Sequence, residues 1–172
     1  RAPILIILRL THILFGVFWA GTAMFNAIFL IPAVRSLGPA GGPVMQEIAG
    51  KRKLPVYFLV AGLLTVLSGF GLYWHDSQGF TNGFMRSAGG MTFGLGAVLA
   101  LVAVLLGIFV ATPAATRTGK PGAEIAAGKK PPTPEQAAEM QQLQAKLGTM
   151  AFVAAGLLTL TTIAMAVARY VS

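Results

Sequence analysis

Four long apolar stretches, over residues 4–31, 55–74, 91–112 and 148–168, constrain this chain more than any other feature. At about 1.5 Å of rise per residue, each is long enough to cross a hydrocarbon core of roughly 30 Å. Lipid offers no water to a backbone amide, so a spanning segment must satisfy its own polar groups, which a helix does unaided. Helices of a soluble bundle keep a polar face, whereas these stretches are apolar all round. Composition agrees: of 172 residues, 55% are hydrophobic and 10% charged, with a mean hydropathy of +0.73, far from soluble usage. The expected fold is an all-α integral membrane protein, a four-transmembrane-helix bundle forming a single membrane domain over residues 1–172.

Absences narrow the chemistry. The chain has no cysteine, which excludes disulfides, iron–sulfur clusters and thiolate zinc sites. Its five acids, Glu47, Asp76, Glu124, Glu135 and Glu139, fall in connections or outside the apolar cores, which disfavours a carboxylate-driven transporter or hydrolase. No phosphate-cradling glycine loop or nucleophile triad signal occurs. The net charge of +8 is parcelled beside the spans, where anionic headgroups are the simplest counter-charge, so membrane lipids rather than nucleic acid are the expected partners. The first stretch, about 28 residues with Arg9, His12 and Asn26 inside it, lacks the short apolar core and cleavage signal of a secretory peptide and is expected to remain as the first helix.

The connections set an orientation. The first carries Arg35, Lys51, Arg52 and Lys53; the third carries Arg117, Lys120, Lys129, Lys130 and, counting the approach to the last span, Lys146; the second carries Arg86 alone. By the positive-inside rule the first and third face the cytoplasm and both termini face outward, which in a bacterial inner membrane makes the termini periplasmic. Pro32 and Pro113 are expected to stop the first and third helices. A flexible cytoplasmic connection is expected over 113–133. Thr133, Pro134 and Gln136 form a helix-start pattern with a capping box, and Met140, Leu143 and Leu147 share a face. The fourth helix is therefore expected to begin with an amphipathic extension over 134–147, outside the bilayer.

The most informative constellation lies on the first helix, where Arg9, His12, Gly16, Trp19, Ala23 and Asn26 fall within about a 100-degree sector. A stripe that small and polar should face protein. His12, roughly 12 Å into the span, needs a hydrogen-bond partner or a metal. Ser68, Thr92, a carbonyl or water could satisfy it, and haem or another metal could be its ligand instead. Arg9 can snorkel to lipid phosphate or neutralise a haem propionate. Trp19 suits either bundle packing or a porphyrin wall. His75, on the outward side with His12, is an interfacial group or a second ligand, although ideal placement separates the two depths by roughly 12 Å. The methionines form no compact copper motif, which leaves a cuprous site built from His12 and a distant thioether as the weaker alternative.

Arg9, His12, Trp19 and Gly21 form the pattern Arg-x-x-His-x6-Trp-x-Gly. This resembles the opening helix of small bacterial membrane proteins of the copper-resistance D-like group and of the related HemJ-like protoporphyrinogen oxidases; the local match covers about 13 residues. Resemblance to the oxidases implies a haem and redox role for His12. The basic partner characteristic of that group has no intramembrane counterpart here, since Lys51 and Lys53 belong to the opposite interface. Resemblance to the copper-resistance group implies copper handling, in a chain that is shorter and lacks a methionine and histidine array. The expected function is a haem-associated membrane redox or electron-transfer protein working with a membrane partner or redox partner, with haem b ahead of copper as cofactor. The expected ligand set is His12 as metal ligand, with Arg9, Trp19 and His75 around the cofactor. A cofactor-free accessory subunit of a larger energy-converting membrane complex is the competing reading.

Overall fold

The computed structural model describes residues 2–81, 83–117 and 133–171. Four helices, Ala2–Ser36, Leu54–Asp76, Ala88–Arg117 and Pro134–Tyr170, are each long and apolar enough to cross a bilayer. The protein is thus an all-α, multi-pass membrane protein with four long apolar helices among the described residues. The first helix packs on the second and fourth, and the third on the same two, so the order around the bundle follows the chain.

Lipid tails are as apolar as leucine, so helices in a bilayer associate through close fit rather than through withdrawal of apolar surface from water. The core is accordingly built of small side chains, Ala23, Ala27, Ala61, Ala100, Ala103 and Ala164, around Trp19, Val104 and Leu158, while Ile7, Leu14, Val17, Leu67 and Phe109 face outward. At the interface of the third and fourth helices, the Ala168 carbonyl lies 2.7 Å from where a Cβ on Gly89 would stand, and Met165 and Ala164 fill the notch at Gly96. There the Thr161 hydroxyl donates across to the Gly96 carbonyl at 3.4 Å. Thr159 and Thr162 instead donate to their own helix, at Ala155 and Leu158.

The prolines behave differently from expectation. The first helix runs through Pro32 to Ser36 and the third through Pro113 to Arg117. Each proline follows a π-helical turn, at Asn26–Leu30 and Gly107–Ala111. A proline inside an α-helix lacks its N–H, and its ring collides with the carbonyl four residues back. A wider preceding turn makes room for the ring and lets the helix continue. Residues 118–132 of the expected flexible connection lie outside the described residues.

The fourth helix starts as expected. Gln136 N–H donates to Thr133 Oγ1 at 3.3 Å and Thr133 N–H to Gln136 Oε1 at 3.1 Å, a reciprocal capping box. Glu135 beside it is held below the usual carboxylate range by its own backbone N–H and by the Thr133 hydroxyl. Met140, Leu143 and Leu147 are half-buried while most of their neighbours are exposed. In the first connection, Glu47 pairs with Lys51 at 3.0 Å and Arg52 at 3.3 Å. The Lys51 ammonium chiefly, then Arg52, lowers its pKa. The Arg35 guanidinium occupies the space Gly148 leaves by having no side chain, tying the end of the first helix to the fourth.

Candidate functional site

The stripe on the first helix meets a matching series of notches on the second. His12 and Trp19 are seven residues apart, and so are Gly62 and Gly69. In an antiparallel pair this spacing seats both large rings at once, Trp19 on Gly62 and His12 on Gly69. A Cβ on Gly62 would stand 2.9 Å from the indole Cε2, and one on Gly69 would stand 2.7 Å from the imidazole Cε1. Between them Gly16 approaches Thr65, and beyond them Leu8 covers Gly71. Trp19 is 3% exposed and meets Phe58 edge to face at 6.2 Å, so its ring is enclosed between the two helices.

His12 is held by a specific atom. Its Nδ1 lies 2.8 Å from the Thr65 carbonyl oxygen, which answers the choice among Ser68, Thr92, a carbonyl and water. A carbonyl only accepts, so Nδ1 carries the proton, and in the neutral ring Nε2 keeps the lone pair. Ser68 Oγ, with a single proton to give, lies within reach of both this carbonyl at 3.1 Å and the nearer Leu64 O. Thr65 Oγ1 donates to Ala61 O at 2.7 Å, and Thr92 to Ala88 O at 2.8 Å. A histidine whose Nδ1–H is fixed by a carbonyl presents Nε2 as a ligand in the tautomer that metal-binding histidines use.

His75 sits apart. It is exposed, its Nδ1 is 3.2 Å from Asp76 Oδ1, and it lines a shallow groove of about 200 Å³ with Ile4, Leu5, Leu8 and Gly71. It lies six residues beyond Gly69, on which His12 rests, about 9 Å along the helix axis. Arg9 is exposed and makes no ion pair among the described residues. Neither do these residues contain a cluster of three or more histidine, aspartate or glutamate side chains able to hold a metal.

Sequence reasoning allowed a carbonyl as the partner of His12 without assigning it to Thr65, although the equal spacing of His12 with Trp19 and of Gly62 with Gly69 carried the signal. Asn26 Oδ1 is buried without a hydrogen-bond partner among the described residues, at the start of the π-helical turn that precedes Pro32. Comparison with protein-family models, with curated proteins and with solved structures finds no match to this chain.

Proposed function

We propose that this is a haem-associated redox or electron-transfer protein of a bacterial inner membrane, working with a membrane partner. The observation that carries the reading is His12, an imidazole within a span whose Nδ1–H is fixed on the Thr65 carbonyl and whose Nε2 is therefore the basic nitrogen. His12 would hold the haem through Nε2, with Thr65 orienting the ring and Arg9 available to a propionate. Haem bound there would supply one-electron chemistry; the protein's part would be to hold the imidazole in one tautomer and exclude water. An absorption spectrum of detergent-purified protein from haem-replete cells tests the reading. A Soret band that shifts on dithionite reduction is the expected result, and a clean protein spectrum would overturn it.

The cofactor-free accessory subunit is favoured by a different observation: His12 and Trp19 both fill glycine notches, so each already has a packing role. Copper handling rests on His12, and the described residues hold no group of three or more histidine, aspartate or glutamate side chains beside it. For orientation, the excess of lysine and arginine around the first and third connections supports cytoplasmic loops there and periplasmic termini. Reporter fusions after Ala49 and Ser172 should read opposite compartments, cytoplasmic at the first; a cytoplasmic signal at Ser172 would reverse the assignment.

A further inference from the structure

The loop joining the second and third helices is built more tightly than a simple connection requires. Gln78, Gly79 and Phe80 have φ values of 50, 74 and 66 degrees, three successive residues in the left-handed region, two of which carry a Cβ that disfavours it. Buried Ser77 holds the turn, accepting from Phe80 N–H at 3.1 Å and donating to the Trp74 carbonyl at 3.3 Å. The Phe80 ring stands edge-on to Trp74 at 4.9 Å and is flanked by Phe70 and Tyr73 at 5.9 and 6.0 Å. Tyr73 in turn donates to the Gly90 carbonyl at 3.1 Å, fastening the cage to the third helix.

The other side of this loop borders an open surface depression of about 540 Å³ lined by Phe80, Thr81, Gly83, Met85 and Arg86, all of them exposed. Arg86 makes no ion pair among the described residues, and a guanidinium keeps its charge at any physiological pH. Phe80 and Met85 beside it are 38% and 40% exposed. A permanent fork of donors next to an aromatic ring and a thioether matches a ligand with two ends. We propose that this open depression binds an oxyanion carried on an apolar body, Arg86 taking the carboxylate or phosphate and Phe80 with Met85 the apolar part. The inference is independent of the haem reading.

Such a ligand could be a free amphipathic anion or an anionic lipid headgroup, and one experiment separates the sources. The protein is placed in phosphatidylcholine discs and titrated with octanoate, using octanol as the uncharged control, while tryptophan emission is followed, since Trp74 touches Phe80. A saturable octanoate response, absent with octanol and weakened about tenfold or more in Arg86→Gln, is expected for loss of a charge-assisted pair. If discs containing phosphatidylglycerol suppress that response in the parent protein, the headgroup is the natural source; if they leave it unchanged, a free anion is. Responses that do not saturate and are equal in the parent and Arg86→Gln would overturn the proposal. Should Arg86→Gln fail to fold by circular dichroism, Met85→Ser carries the test: several-fold weaker octanoate binding supports the site, and unchanged binding overturns it.

Discussion

Gly62→Ala is expected to destabilise the folded bundle by about 1–3 kcal/mol, the usual effect of forcing a methyl group into a filled core. The added Cβ would stand 2.9 Å from Trp19 Cε2 and 3.1 Å from Cζ2. A planar indole enclosed at 3% exposure has no flexible end to swing aside. Gly69→Ala should act similarly and break a hydrogen bond as well, because its Cβ would fall 2.7 Å from His12 Cε1 and 2.9 Å from Nδ1, the atom bound to Thr65. Gly21→Ala is the internal control: its Cβ would meet nothing within 4 Å, and its effect should stay within about 0.5 kcal/mol. Thermal unfolding in one detergent ranks the three. Equal midpoints would show that the first and second helices are not interlocked in this way.

The fold was largely legible because its determinants are local. Runs of apolar residues define spans whatever lies beside them, and Thr133 with Gln136 forms a cap from contacts only three residues apart. The stripe from His12 to Trp19 and Ala23 was legible as a protein-facing side for the same reason. Its partner was harder to find, since pairing two helices needs a register, and here that register is written in glycines seven residues apart. Pro32 and Pro113 misled because proline was taken as a stop, whereas a π-helical turn before each absorbs the missing N–H and the ring. Asn26 stands at the first of those turns with its Oδ1 buried and unsatisfied among the described residues, a local cost that no pattern of residue types displays. The strained turn through Gln78 and Phe80 was equally hidden, because only one of its three left-handed residues is a glycine.

Replacing His12 in two ways separates chemistry from architecture, which the present geometry combines in one ring. His12→Ala removes both the ligand nitrogen and the hydrogen bond to the Thr65 carbonyl, worth about 0.6 kcal/mol on average for such a bond between membrane helices, and it leaves a cavity over Gly69. His12→Gln keeps an N–H able to donate to that carbonyl, while its amide is a poor ligand for iron. Under the haem reading both variants should lose bound haem per folded protein, and Gln should hold the bundle together better than Ala. Added imidazole should then restore a Soret band to the alanine variant by entering the space the side chain vacates. Under the accessory-subunit reading the order of stability is the same, parent above Gln above Ala, but no spectrum changes because His12 serves only as a packed hydrogen-bond donor. His75→Ala should leave haem occupancy near that of the parent, since its backbone stands six residues, about 9 Å of helix rise, beyond Gly69 on which His12 rests. Haem occupancy retained in both His12 variants would remove His12 from the iron and leave its bond to Thr65 as its whole function.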